Sequence, residues 1–484
     1  MLEPKPDEQT LSVLMPLLKD REKVCDSESD DAEDRDVRLV LSRALESLMG
    51  DENAREKFRN ALCSLLAAQM LDSRHEELEE SVRVRAIIAL GVGWRNDPAV
   101  RDILLNLITE RTQDGFPVEQ DDDVREEAVI SLGTGWPGDT KVRDVLLGMH
   151  TARNPEDLSM RQRVVTALGA GWRGDLKVRN ALLRVITKLA RNKSLNEREW
   201  HLRINAVDAL GLGWPGDTEA CAALLAILTS RTPGGSRIEL NELVRRSAAS
   251  ALGVGWGGDP NARAALLAVC TARALDGSPA EPDWDVRASA LRALGKGWPG
   301  DTEVRDLLLA TLMEQGRWMR EGTDDTRRDE LRSPEEQERW EREGAMLYLR
   351  IGWKGDMKVG AALLALLTAR TPDGSIAERD NHVRAQAAFA LGGWRDDPVV
   401  RAALFAVLAE RTFDGLPAEP SERVRQFAMS AIVCCWQGDA EVHELLQKFA
   451  TGRTADGTWW EKSEKIRQKA CGYLEDWNQH KSTE

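Results

Sequence analysis

The sequence predicts an all-α solenoid of about ten to eleven stacked helix pairs, and three observations predict it. A tryptophan returns about every 42 residues, at Trp94, Trp136, Trp172, Trp214, Trp256, Trp298, Trp353, Trp394 and Trp436, and a fixed period of this length marks an array of helix pairs. An aspartate stands three residues after each: Asp97, Asp139, Asp175, Asp217, Asp259, Asp301, Asp356, Asp397 and Asp439. The residues before each tryptophan put apolar or small side chains on one helical stripe, such as Val286, Ala290, Ala293 and Leu294 before Trp298, or Val124, Ala128, Ser131 and Leu132 before Trp136. In such an array each unit touches its neighbours only, so the 484 residues count repeats instead of domains.

Residues 1–36 read as an N-terminal capping helix and an acidic linker. Leu11, Leu14, Leu17 and Leu18 share a helical spacing, and Cys25 to Asp36 then holds seven carboxylates, a self-repelling run that suits solvent. The array occupies 37–477. Its first unit is degenerate, with Leu48 in the tryptophan position and Asp51 in the aspartate position, as terminal repeats commonly are. Residues 478–484 form a polar tail.

Within a unit, the glycine before the tryptophan suggests a helix end that needs a left-handed residue. The aspartate after it suits an N-cap whose carboxylate accepts the free N–H groups of the next helix. Pro98, Pro260 and Pro398 follow their aspartates at the first helical position, where a missing N–H costs nothing. These nine aspartates therefore read as helix caps and not as catalytic acids. The second helix, for example Ala361 to Leu367, closes with Thr-x-Arg and a loop carrying Asp-Gly, a pair that tolerates positive φ.

Two units break the rhythm. The one between Trp136 and Trp172 is about six residues short, and the one between Trp298 and Trp353 is about thirteen long. The excess is a polar insertion, 315–344, read as a surface loop with a solvated helix from Pro334 to Glu343. It carries Trp318 and Trp340 outside the repeat phase, and insertions in repeat arrays fall on loops that often bind.

Arginines also keep the phase. Arg83, Arg125, Arg161, Arg203, Arg245, Arg287, Arg342 and Arg425 stand eleven residues before their tryptophans and Arg384 stands ten before its own; a second column, Arg111, Arg153, Arg231, Arg273, Arg370, Arg411 and Arg453, stands seventeen after.

With its period, its Val-Arg helix openings and Ala-x-x-Ala-Leu-Gly, seen in Val286 to Gly295, the chain resembles the HEAT repeat family, particularly the form named after phycobilisome lyases. The resemblance covers about residues 37–477 and implies a right-handed superhelical α-solenoid. It also implies a concave surface lined by the helices that end at tryptophan, and a structural ladder of hydrogen bonds through the first arginine column. The Gly-Trp-x-Gly-Asp ending is similar to the HEAT arrays of bacterial NACHT-type STAND proteins. No Gly-x-x-x-x-Gly-Lys-Ser/Thr occurs, so their NTPase module is not in this sequence.

The net charge of −15 is uneven, because residues 1–81 hold 11 Lys and Arg against 21 Asp and Glu. The array is close to neutral, and the positions of its tryptophan-ending helices that face outward are mixed and partly apolar, so the charge speaks against nucleic acid as a partner. Seven cysteines without a Cys-x-x-Cys spacing fit neither a disulfide framework nor a structural zinc site and point to a cytoplasmic chain. Cys434 and Cys435 read as a buried pair. No apolar run reaches membrane-spanning length. The dipeptides His75-Glu76 and His443-Glu444 lie at different repeat phases, which gives no metal site, and no cofactor motif is found.

The expected function is that of a non-enzymatic scaffold or sensor that binds a protein partner, a STAND-type ATPase or its ligand being candidates, through the concave face and the insertion 315–344. The candidate contact residues are Trp318, Trp340, Trp200, Trp284, Arg292 and Lys296, since exposed tryptophan and arginine anchor interfaces. Trp459 and Trp460 are further aromatics outside the phase. The alternatives are an enzyme of the bilin-lyase type or another HEAT-fold enzyme, and nucleic-acid binding.

Overall fold

A computed structural model of the chain describes residues 52–71, 80–151, 158–190, 199–232, 237–274, 277–313, 334–454 and 457–481. The capping helix, the acidic linker, Leu48 and Asp51 lie outside the described residues. Among those described, twenty α-helices form and no strand does; the extended pairings are isolated bridges within loops, such as Arg111 with Pro117. The fold is an all-α solenoid.

The helices fall into two compact units, one ending at Ala251 and one beginning at Leu252. The first holds α1 (Glu52–Leu71), α2 (Glu80–Gly93), α3 (Pro98–Thr109), α4 (Asp122–Gly135), α5 (Thr140–Thr151), α6 (Leu158–Gly171), α7 (Leu176–Ala190), α8 (Trp200–Gly213) and α9 (Thr218–Thr229). The division falls within α10 (Glu242–Gly255). The second holds α11 (Pro260–Thr271), α12 (Trp284–Gly297), α13 (Thr302–Met313), α14 (Pro334–Gly352), α15 (Met357–Thr368), α16 (Asn381–Ala390), α17 (Pro398–Ala409), α18 (Glu422–Cys435), α19 (Ala440–Thr451) and α20 (Glu464–Lys481). A 3-10 turn, Leu391–Trp394, completes α16. In the first unit α2, α4, α6 and α8 pack side by side as one layer and α3, α5, α7 and α9 as another. In the second unit α12, α14, α16, α18 and α20 form one layer, and α13, α15 and α17 stack in the other.

The turn between the two layers follows from four residues. At the end of α4 the Trp136 N–H donates to the Leu132 carbonyl at 3.1 Å, and the Asp139 N–H returns to the Trp136 carbonyl at 3.2 Å. Asp139 Oδ1 then accepts the N–H groups of Lys141 and Val142 at 2.8 and 3.0 Å, which caps α5. The left-handed residue of this turn is Gly138, at φ 79°, two residues after the tryptophan, and not Gly135 before it. Gly138 donates its N–H to the Gly171 carbonyl of the next repeat at 3.1 Å. A close approach explains the glycine before Trp172: a Cβ on Gly171 would stand 2.6 Å from the Gly133 carbonyl oxygen, and one on Gly135 3.2 Å from the Gly91 carbonyl oxygen. None of the glycines before tryptophan has a left-handed φ.

The same tightness runs along the layer. A Cβ on Gly133 would meet the Ala167 Cβ at 2.6 Å, one on Gly211 the Ala251 Cβ at 2.7 Å, and one on Gly253 the Ala293 Cβ at 2.5 Å. Small residues at two fixed positions thus let successive helices touch backbone to backbone, and the alanine stripe is fully enclosed, Ala248 and Ala290 being 0% exposed.

Two ladders of charge tie the repeats. Capping aspartates also use their second oxygen for an arginine of the preceding repeat: Arg59 to Asp97 at 2.8 Å, Arg101 to Asp139 at 2.9 Å, Arg143 to Asp175 at 2.8 Å, Arg305 to Asp356 at 2.9 Å and Arg401 to Asp439 at 2.8 Å, whereas before Asp259 and Asp397 the arginine position holds Cys221 and Gly360. Burial works against the Asp139 charge, yet the Val142 N–H and Arg101 hold its carboxyl below the usual carboxylate range. The second ladder uses the column eleven before tryptophan. Arg203 meets Glu239 at 2.8 Å with both side chains buried, Arg161 meets Glu199 at 2.8 Å, Arg384 meets Glu419 at 2.9 Å and Arg425 meets Glu461 at 3.1 Å. Arg83 reaches Glu119 at 3.4 Å, and Arg125 bonds Asp122. Arg245 and Arg287 donate to loop carbonyls, of Leu240 at 2.7 Å and of Glu281 at 2.6 Å. The other arginine column closes helix ends: Arg411 donates to the Leu408 and Glu410 carbonyls at 2.8 and 2.9 Å.

Candidate functional site

One step of the second unit departs from this packing. α14 is a single helix from Pro334 to Gly352, so the surface helix expected from Pro334 to Glu343 is instead the front half of the repeat helix. Proline suits its first turn, where no N–H partner is needed, and apart from Gly344 no breaker interrupts it before Gly352. Continuity carries Glu341 and Arg342 inside, at 5% and 4% exposure.

Counting back from the tryptophan shows what is unusual. The position twelve before it is Val82, Val124, Met160, Leu202, Val244, Val286 and Val424 in other repeats, all buried. Here it is Glu341. The carboxylate attracts Arg287, whose protonated form burial disfavours most strongly and Glu281, Asp283 and Glu341 favour. Arg342 donates through Nε to the Leu312 carbonyl at 3.0 Å and pairs with Glu378.

The position five before the tryptophan, Ser131, Ala167, Ala209, Ala251 or Ala293 elsewhere, is Tyr348 here. A Cβ on Gly295 would meet Tyr348 Cγ at 2.7 Å, so a ring fills the contact that a methyl group makes at other steps. The ring lies at the contact of α14 with α12, and beside it opens a cavity of about 390 Å³. α12 supplies Ala288, Leu291 and Arg292 to its lining, α13 supplies Leu308, and α16 supplies Gln386. α14 supplies Glu341, Glu343, Gly344, Ala345, Leu347 and Tyr348. The cavity is mainly apolar with a few convergent polar groups, which is the common make-up of a binding pocket, and its volume is near the small end for one.

Its rim is apolar too. Leu347 and Ile351, one turn apart on α14, are 44% and 67% exposed, and Arg292 and Lys296 hold the matching register on α12. Glu343 Oε1 lies 4.0 Å from His382 Nδ1. Burial, helped by Arg423, lowers the His382 pKa, which leaves that imidazole neutral near pH 7.

The cavity gathers Arg292 and the C-terminal end of the 315–344 insertion, and Lys296 lies one turn beyond Arg292. Trp318 lies outside the described residues, and so does the side chain of Trp340, although its backbone belongs to α14. Trp284 and Trp200 are the first residues of α12 and α8 and are half-buried, Trp200 lying against the His201 ring. Trp459 is held between Arg453 and Arg467, and Trp460 packs on Phe449 under Arg411, so this pair is spent on internal contacts. Cys434 and Cys435 are not a buried pair. Cys434 is exposed, and the half-buried Cys435 donates its thiol to the Gly392 carbonyl at 2.9 Å.

Glu341 and Tyr348 were not singled out from the sequence. The signal was present: aligning that repeat on Trp353 puts a carboxylate in an apolar position and a ring in a small one. Of groups able to hold a metal, Glu80, Asp121 and Asp123 bring carboxylate oxygens within 4.8 Å of one another. The hydrogen bond with Asp123 and the charge of Asp121 raise the Glu80 pKa. No helix among the described residues is long and apolar enough to cross a membrane.

Neither a protein-family model nor a curated protein matches the chain. Among solved structures it is similar to Kap121p, with 12% identity over 99% of this chain and 51% of that one and a TM-score of 0.40. It is similar to an engineered protein, with 18% identity over 90% and 98% of the two chains and a TM-score of 0.32. A structure concerned with the interaction between cadherin and beta-catenin gives 14% identity over 96% and 99%, with a TM-score of 0.25.

Proposed function

We propose that the chain is a non-enzymatic interaction scaffold that binds a protein partner on the face of α12 and α14, around the cavity and its rim. The observation that carries this reading is the exposed Leu347, which lines an apolar cavity together with Arg292, followed one turn further along the same helices by the exposed Ile351 and Lys296. Contiguous exposed apolar surface with a charged rim is characteristic of protein-binding patches. The repeat architecture supports it, since stacked repeats present one extended inner face, which the HEAT resemblance assigns to the helices ending at tryptophan. On that resemblance alone, a STAND-type ATPase or its ligand is the first partner to test.

The test is affinity purification from native lysate with the wild-type chain and with Ile351→Glu, each checked for an unchanged melting curve. The expected result is a protein retained by the wild type and lost from the variant. Retention of the same proteins by both, or of an oligonucleotide or coloured small molecule alone, sinks the reading.

A further inference from the structure

We propose that the face of α14, α16 and α18 binds an acidic segment of a partner polypeptide, with carboxylates on Arg350 and Arg423 and an apolar side chain on the rings between them. The assignment rests on the protein-binding reading above and extends that face by two helices. The first argument is the repeat itself. Three residues before the tryptophan stand Gly133, Gly211 and Gly253, and each meets the alanine five before the next tryptophan, Ala167, Ala251 or Ala293. At the step from α14 to α16 those two positions hold Arg350 and Phe389. The guanidinium carbon lies 4.7 Å from the ring centre, so a cation over a ring replaces the contact of a glycine with a methyl group. One step on the seam closes again, where a Cβ on Gly392 would meet the Cys435 Sγ at 3.0 Å and the Ala431 Cβ at 3.6 Å.

The second argument is charge. The chain carries −15 overall, yet the ladder arginines of this unit end on carboxylates of the fold, and Arg350 and Arg423 end on neither a carboxylate nor a carbonyl among the described residues. Arg350 lies over Phe389, and Arg423 lies 5.8 Å from the Phe427 ring centre and donates through Nη1 to His382 Nε2 at 3.5 Å. That imidazole is neutral near pH 7 and adds no charge. Asp380 is taken by Arg339 at 2.8 Å and by the first N–H groups of α16. Glu343 is the carboxylate beside His382, and with it counted Arg292, Arg350 and Arg423 still leave the face positive. Arg423 is exposed, and Arg350, Phe389 and Phe427 are half-buried, so solvent reaches all four. A guanidinium over a ring keeps its in-plane N–H donors for a carboxylate.

The third argument is spacing. Phe389 and Phe427 meet edge to face with centres 5.9 Å apart, so the two cations flank one aromatic patch. Laid end to end, these ring distances bound the separation of the two guanidinium carbons at about 16 Å, which an extended chain covers in about five residues. A polypeptide can thus set an acid on each arginine with an apolar residue between them. A single-stranded nucleic acid would need an open ring face for its bases, and Arg350 covers that of Phe389. The exposed Leu347 and Ile351 on the same helix as Arg350 also suit a polypeptide.

The experiment uses the full chain and labelled peptide pools with leucine or phenylalanine fixed at the centre of that span and glutamate, glutamine or lysine fixed at both its ends, with affinity read by fluorescence polarisation. The glutamate pool is expected to bind at least about tenfold more tightly than the glutamine and lysine pools. Arg350→Gln and Arg423→Gln should each remove most of that preference. Neither arginine holds a carboxylate or a carbonyl of the fold, so melting curves should show both variants folded. Glutamine bound as tightly as glutamate overturns the charged contact, and a glutamate preference untouched by both substitutions overturns the site; the scaffold reading survives either result. A labelled oligothymidine bound more tightly than the glutamate pool, and lost in Arg350→Gln, overturns the polypeptide and makes this a nucleic-acid site. If neither peptides nor oligothymidine bind while Ile351→Glu still loses its lysate partner, this assignment alone fails. If that partner is also unaffected, both fail.

Discussion

The step from α8 to α10, in the first unit, and the step from α12 to α14, in the second, are built from the same repeat and end differently. At the first, Gly211 stands against Ala251, and Arg203 finds its acid in the loop residue Glu239. At the second, Gly295 stands against a tyrosine ring, and the acid facing Arg287 is Glu341, projected from the helix itself. One seam is closed and the other holds a cavity. Two side chains at fixed positions of one repeat distinguish the step that holds a cavity from the step that does not.

The largest break in that comparison should come from the closed step. Arg203→Met leaves Glu239, 2% exposed, as a buried acid without its partner, and should cost about 4 kcal/mol in urea titration, the usual scale for removing one side of a buried pair. Gly211→Ala should cost about 2 kcal/mol, since its new Cβ must displace Ala251, whose backbone Cα would be 3.0 Å away.

A third step sharpens the lesson. The short repeat holds His150 fourteen residues after its tryptophan, where others hold Ile108, Ile186, Leu228, Leu312 or Leu408. Burial, and then Arg161, lowers the His150 pKa from 6.5 to about 4. Between those values the unfolded chain binds a proton that the folded chain refuses, so stability falls as pH drops from about 6.5 toward 4, by on the order of 2 kcal/mol. His150→Leu should flatten that slope in urea titrations across the window; an unchanged slope refutes the assignment.

At the open step the effects should be smaller. Tyr348→Ala puts the small residue of the other repeats against Gly295, and the ring it removes is only half-buried, so the loss should be about 1 kcal/mol instead of the about 3–5 expected for a fully enclosed aromatic side chain. Gly344→Ala should stabilise by about 0.7 kcal/mol, since it removes a mid-helix glycine where nothing crowds the new methyl group. A loss there as large as that of Gly211→Ala would mean that the open step is as tight as the closed one.

The legible features were those set by local chemistry. The nine aspartates sit where a helix start needs an acceptor, and the hydrogen bonds to the next N–H groups follow from chain geometry within three residues. The arginine column showed its spacing, but its partners, such as Glu239 and Glu419, lie in the following loop and became visible only with the repeats stacked. The glycine before tryptophan was misread for a related reason. Sequence shows that a residue lacks a side chain, and only the neighbouring helix shows whether torsion or space demands it.

By itself, the sequence determined the period, the helix pairs, the caps and the apolar stripe, because each depends on contacts within a few residues or on a register that repeats. The tertiary structure decided which oxygen each arginine meets, that α14 runs unbroken through Gly344, and that Glu341 and Tyr348 share one cavity. Those depend on how closely two helices from different repeats approach, and that distance is set by the bulk of the side chains that meet across the seam.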